Sequence, residues 1–425
     1  MVFDVIIVGA GAAGLGAAHH ARSRGLKYKT IEAASRIGGR AVTVELATGQ
    51  PFDLGCHWLQ GGGRNPFYDF VGAEIRLGPL IQGHALWRRG HLTDEAQSQA
   101  LDVAFDALSA LHLEHQRRSA ETPSIDEPSI RKALSGGHDF EEDYFRLLTH
   151  ECAAEPELVS ISDPAGVNFG GDDIPVLSGY GRVIEKAAGP IDITLDCPVT
   201  KIDLSGADIL VETPQGTLRT RHVILTVSTA VLAKEHISFG ASGLPNWKLS
   251  AIEGIPTGSS TKVGLQFAKG TLERIGFARS SFAGPVRLVI VEREDTSNGS
   301  WHLGTGDGDL CTCYIGGKFS RELAAAGKPA QVAWAKDDLA KVLGSDAIGA
   351  IVAAETTPFD TVETLGGGYS YLRVGYPNAR DDLERPIQDR LYFAGEACGG
   401  IDATTAHGAW NSGVRAIDQI HSLQS

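Results

Sequence analysis

The sequence predicts an α/β fold, a parallel sheet covered on both faces and joined to a second, α+β unit. Three observations at the N-terminus predict the sheet. Val2 to Val8 form an apolar run broken only by Asp4, the pattern of a strand buried on both sides. Gly9, Gly11 and Gly14 follow at once, ahead of a helical stretch from Leu15 to Arg24 that stops at Gly25. A second short strand, Tyr28 to Ile31, ends at Glu32. Strand, glycines, helix and strand in that order open a Rossmann-like βαβ unit.

Further along, the chain changes character twice. Thr93 is positioned to cap a helix whose apolar face carries Leu101, Ala104, Phe105, Leu108 and Leu111, and helical, polar-rich sequence continues to about Cys152. Strand patterns then return at Ile191–Leu195, Val199–Leu204, Ile209–Thr213 and Val223–Val227, with turns at Ser205-Gly206 and Pro214-Gln215-Gly216. A β-rich stretch runs from Lys262 to Phe267 and on through Val286 to Val291. The last strand, Leu391–Phe393, leads into a helix from about Ala406 to Leu423. The chain shows no internal repeat.

At 425 residues with 42% hydrophobic and 21% charged residues, the chain can bury a full core, and at roughly 100–200 residues per domain it holds two or three domains or two interleaved ones. Six cysteines without CxxC spacing make neither a disulfide framework nor a zinc site. A net charge of -14 argues against nucleic acid, whose partners present a basic face, and weakly favours a cationic ligand. No basic leader precedes the first strand and no apolar run reaches the ~20 residues of a membrane helix. The expected location is cytoplasmic, without a membrane partner.

In G-x-G-x-x-G after a strand, the first glycine makes the turn, the second admits a pyrophosphate, and the third lets helix and sheet close. The helix N-terminus then offers amide donors to the phosphates. Glu32, eighteen residues past Gly14, stands where a carboxylate binds both hydroxyls of an adenosine ribose and repels a 2′-phosphate. A dinucleotide is expected, with a purely structural glycine turn as the competing reading.

Ser35-Arg36-Ile37-Gly38-Gly39-Arg40 follows directly, bringing a second glycine pair and two arginines that nicotinamide enzymes do not need. Here the chain resembles the flavin-dependent amine oxidase family of monoamine oxidases, polyamine oxidases and lysine-specific demethylases. Three further segments carry the resemblance. Asp53-Leu54-Gly55-Cys56-His57-Trp58 is similar to the family's D/E-L-G-x-x-W segment; VILTVSTAVL from Val223 has Ser228 where proline is usual; LYFAGEACGGIDATTAHGAWNSGVR from Leu391 is similar to the C-terminal flavin segment. The resemblance extends over nearly the whole chain.

The resemblance implies a glutathione-reductase-like FAD-binding domain from residues 1–78, 178–240 and 366–425, interleaved with a substrate domain from 79–177 and 241–365 that includes the helical insert. It implies FAD, bound by Gly9, Gly11, Ala13, Gly14, Glu32, Ala33, Gly39, Arg40, Gly55, His57, Trp58, Val199, Thr226, Gly395, Glu396, Thr404, Thr405 and Ala406. Gly368 stands where monoamine oxidases carry the flavin-linked cysteine, so the FAD is expected to be noncovalent.

The implied reaction passes a hydride from the carbon beside an amine nitrogen to flavin N5, giving an imine that hydrolyses, and H2O2 where O2 is the acceptor. Lys262 matches the family's lysine that holds a water at N5; a solvent-facing lysine on an edge strand is the competing reading. Tyr369 falls at an aromatic cavity wall, or is a core aromatic. Thr405 replaces the second aromatic wall, Phe359 stands where tryptophan is usual, and Gln60 replaces an acidic residue or histidine of many polyamine oxidases, which weakens polyamine preference.

His57 is either a cavity residue or a structural histidine, and His407 reads as structural. Glu155, Asp172 and Asp173 read as solvated loop acids rather than a site for a distal ammonium. His112-Leu113-Glu114-His115 reads as a solvated helix end rather than a metal site, and Cys398 as packing. No metal is expected. The alternatives are an amine dehydrogenase with another acceptor, a desaturase or protoporphyrinogen oxidase-type enzyme on the same fold, and a flavin-binding interaction protein. Oligomeric state is not legible.

Overall fold

The computed structural model describes residues 1–423 apart from 80, 165–172, 241–242, 278–285, 294, 296 and 306–307. The first strand, β1 (Val2–Val8), runs parallel to β2 (Tyr28–Ile31) on one side and to the long strand Gly216–Leu225 on the other. Val5, Ile6 and Ile7 are fully buried because successive side chains meet packed layers on opposite faces of the sheet. The far side of Gly216–Leu225 pairs first with Ile209–Thr213 and then with Leu391–Phe393, which brings the C-terminal segment beside the N-terminal one.

The helix α1 (Ala12–Ser23) buries Ala13, Ala17, Ala18 and Ala21 against Ala409, Ala416 and Ile417 of the last helix, Ala406–Ser422. These small side chains let the two helices lie close together over the sheet. Lys248 helps fix the other face. It is fully buried, and its Nζ donates to the carbonyls of Asp382, Leu383 and Arg385 at 2.6–2.7 Å, where the helix Ala379–Glu384 ends. Three carbonyl oxygens match the three donors of an ammonium group.

A second seven-stranded sheet runs in the order Ile351–Thr356, Ser260–Phe267, Leu310–Gly316, Ser300–Thr305, Val286–Val291, Ile81–Arg88 and His91–Leu92. One face buries Val263, Trp301, Cys313 and Val289 under the helices Gly317–Ala326 and Lys328–Leu343. Inside that layer Asp338 accepts from Arg293 at 2.5 Å and from Trp301 Nε1 at 2.9 Å. On the opposite face, Leu86, Leu288 and Ile290 meet the helical layer through Leu101, Phe105, Tyr144 and Leu148.

Several sequence expectations shift by a few residues. The long helix of that layer is Glu95–Glu121, and Asp94, not Thr93, caps it, exchanging bonds with Gln97 in a capping box. Thr93 instead accepts from Leu86 N and meets Ser98. His112 is not at a solvated helix end. It lies inside the helix, is fully buried, and burial pushes its imidazole down to about 4. The strand at Ile191–Leu195 shortens to Ile193–Thr194 at the sheet edge.

Candidate active site

A cavity of about 1000 Å³ runs between the two sheets. At one end the βαβ start forms the wall. A side chain at Gly14 would place its Cβ 1.9 Å from the Gly9 carbonyl oxygen, so the helix can begin this close to the strand only without one. Gly9 itself adopts φ +106°, in the region that L side chains avoid. The Glu32 carboxylate accepts from Ala10 N at 2.6 Å and Ala34 N at 2.8 Å, one amide on each oxygen, and each oxygen retains a lone pair.

The midsection is set by Arg40, which donates to Gly368 O and, at 3.1 Å, to Glu396. Glu396 also accepts from Ser370 Oγ at 2.8 Å, so this buried carboxylate is paired and positions Arg40. Arg36, in contrast, donates to Ile37 O and does not line the cavity. Thr404 adopts φ +70°, and Thr405 caps the last helix by accepting from Gly408 N at 2.9 Å. The helix start at Thr404, Thr405 and Ala406 therefore faces the cavity with its positive dipole end.

The other end is lined by buried titratable groups. Lys262 belongs to a strand paired on both sides, and it is buried, so the solvent-facing reading fails. Its Nζ stands 3.1 Å from His57 Nδ1. Burial pulls its ammonium down to about 8, against the opposing pull of Asp53. Asp53, at the start of the D-L-G segment, accepts from Tyr180 N and Thr43 Oγ1 and so anchors the helix Tyr180–Ala188. Tyr369 is half-buried, lines the cavity and donates to His150 O.

Of the residues singled out in the sequence, Gly9, Gly11, Ala13, Glu32, Ala33, Gly39, Arg40, Gly55, His57, Trp58, Gln60, Val199, Thr226, Lys262, Phe359, Tyr369, Gly395, Glu396, Thr404, Thr405 and Ala406 all line this one cavity. Gly14 stands behind it. His407 also reaches the wall, with its Nε2 3.3 Å from Asp402. Ser228 caps a short helix and donates to Leu365 O at 2.7 Å. Asp173 lines the cavity, Glu155 accepts from Lys318 N outside it, and Asp172 lies outside the described residues. Cys398 is buried, and its thiol is pushed up to about 12 by that burial.

Sequence reasoning missed Tyr314, His302, His150 and Glu151, which line the same end. Tyr314 lies directly across from Lys262 on the neighbouring strand. That register is the signal that would have found it, and it is not visible before the sheet is assembled. Among the described residues no cluster of His, Cys, Asp and Glu is arranged to hold a metal, and no helix is long and apolar enough to cross a membrane.

These features fit FAD. A fixed carboxylate for the ribose, a glycine cradle and helix start for the diphosphate, and a second helix start near a buried lysine follow one another along a single cavity. At Gly368 a cysteine's Cβ would come within 2.8 Å of Ser260 Cβ, which leaves little room for an attachment point there.

Comparison with known proteins agrees. Among solved structures, a putrescine oxidase with bound putrescine superposes with a TM-score of 0.79 at 18% identity over 99% of both chains. Cyclohexylamine oxidase from Brevibacterium oxydans does so at 0.80 and 18% over 100% of both. Among curated proteins, polyamine oxidase 2 of Arabidopsis thaliana is 27% identical over 98% of this chain and 87% of its own. Human lysine-specific histone demethylase 2 is 28% identical over 98% of this chain and 53% of its own. The chain spans 30% of demethylase 1 homolog 3 of Arabidopsis thaliana. It thus covers about a third to a half of the demethylases it matches. The model of flavin containing amine oxidoreductases matches residues 12–421, and the chain belongs to that family, with FAD as its cofactor.

Proposed function

We propose that the chain is an FAD-dependent amine oxidase that converts an amine to an imine, with O2 as the final acceptor and H2O2 as product. The observation that carries this reading is the continuity of one cavity from the ribose carboxylate Glu32 to buried Lys262. When bound, FAD supplies the two-electron acceptor for the C–H bond beside the nitrogen. The chain's residues supply the rest.

An alkyl amine, with a pKa near ~10.4, arrives as a cation, and only its neutral form has a lone pair to assist C–H cleavage. The acidic chain attracts the cation. Inside, Trp58, Phe359 and Tyr369 present aromatic surface, and Lys262 presents a second positive charge, both of which favour loss of the proton. The imine leaves and adds water to give a carbonyl compound and ammonia or a smaller amine.

Glu151, with Asp173, gives the far wall an acidic character, and burial raises the Glu151 carboxyl to about 8. A substrate with a second ammonium group would let Glu151 ionise, which supports diamines over simple monoamines. Oxygen uptake with a panel of amines tests the proposal, read with and without catalase. It predicts one H2O2 per O2 consumed. Flavin bleaching without oxygen uptake would assign a dehydrogenase instead.

A further inference from the structure

Lys262 is the first member of a chain of side chains drawn from three separate parts of the sequence. Its Nζ is 3.1 Å from His57 Nδ1, His57 Nε2 is 2.7 Å from Tyr314 Oη, and Tyr314 Oη is 3.1 Å from His302 Nδ1. His57 and Tyr314 stack at 5.4 Å and 14°, which holds the middle link in register. His302 is buried, and its Nε2 has no partner among the described residues.

Hydrogen-bond polarity orders this chain. A protonated Lys262 can only donate, so His57 accepts at Nδ1 and carries its hydrogen on Nε2. His57 Nε2 then donates to Tyr314 Oη, and Tyr314 donates to His302 Nδ1. His302 therefore carries its hydrogen on Nε2, at the end of the chain. Each link points away from Lys262.

We propose that His57, Tyr314 and His302 form a hydrogen-bonded positioning chain that holds an acceptor toward the Lys262 ammonium and so sustains the positive charge that favours neutralisation of the bound amine. The proposal rests on the amine-oxidising reading above. No proton leaves this chain, because His302 Nε2 is buried without an acceptor among the described residues. Burial keeps both imidazoles well below their ordinary range, so both stay neutral and preserve the polarity that turns a His57 Nδ1 lone pair toward Lys262.

Other charged or titratable groups face this chain. Asp53 and Cys56 face Lys262, His150 faces Tyr314 and His302, and His84 faces His302 while its Nδ1 meets Asp102 at 3.1 Å. Tyr314 and His302 act through Lys262 and are positioning residues.

The test is Tyr314→Phe in the holoprotein, which removes one hydroxyl and keeps the ring. Without that acceptor His57 can move its hydrogen to Nδ1, facing Lys262 with a donor and disfavouring its ammonium. Titration of the flavin absorbance between about pH 6 and pH 10, with no amine present, should show the Lys262 midpoint falling by about one unit. Anaerobic flavin reduction by putrescine should slow about tenfold as the Lys262 charge is lost. His302→Phe, which cuts the far end, should reproduce the slowing.

An unchanged midpoint with FAD retained overturns the proposal, as does a wild-type titration that is flat over this range. Loss of FAD from both variants assigns the chain a structural role and overturns it too. A shifted midpoint in a protein that no amine reduces would uphold the link to Lys262 and reject the amine-oxidising reading, so the two failures are distinguishable.

Discussion

At the Glu32 end of the cavity the wall is backbone: amides of Ala10 and Ala34 on one carboxylate, glycines where a Cβ would collide, and a helix start. At the Lys262 end it is side chains, with His57 linked in series to Tyr314 and His302 from more than two hundred residues away in the sequence. A backbone cradle binds a group that never changes. A wall of buried titratable side chains suits a site where a proton must come and go. The contrast predicts that changes at the first end act on cofactor retention, and changes at the second on rate and pH dependence.

The largest effect is expected at the backbone end. Gly14→Ala should yield protein without FAD, or no folded protein, because the added methyl meets the Gly9 carbonyl at 1.9 Å. Absorbance of the purified variant at the flavin band checks this, and a yellow variant of normal stability would break the contrast.

At the other end, Lys262→Met should retain FAD while flavin reduction or reoxidation falls by about 100-fold, read by stopped flow. The wild-type kcat/KM should rise from neutral toward alkaline pH, since the neutral fraction of an amine near ~10.4 grows about tenfold per unit below that value. With the Lys262 ammonium brought down to about 8, its own loss of a proton falls in the same range. A flat profile between neutral and alkaline pH counts against neutralisation inside the cavity.

Away from both ends, Lys248→Met should cost about 2–4 kcal/mol in urea unfolding without changing the pH profile, since three buried carbonyls lose their donor. Glu151→Gln should raise KM for a diamine by about tenfold and leave a monoamine nearly unaffected, read by steady-state assay. The smallest change is expected at the insert, where Asp94→Ala should cost about 1 kcal/mol through loss of the capping box, measurable as a small fall in Tm.

The same contrast explains what could be read before the structure. β1, the glycines, β2 and Glu32 are contiguous, so their spacing alone encodes a dinucleotide site. β2 and the strand Ile209–Thr213 occupy the predicted residues for the same local reason. The strand Ile81–Arg88 escaped notice because Gln82, Gly83, His84 and Arg88 break its apolar alternation. Tyr314 and His302 carry no local signal, because they become neighbours of Lys262 only through strand register. His112 was misread because the helix extends to Glu121, placing it on the buried side.

The central claim is that one cavity holds FAD and delivers a neutralised amine to it. Anaerobic mixing of the yellow holoprotein with putrescine, spermidine, benzylamine and cyclohexylamine tests it most directly, followed at the flavin absorbance. The account predicts loss of the yellow band with at least one of these amines, faster at alkaline pH, and release of intact FAD on acid precipitation. An oxidised spectrum unchanged by all four would contradict it.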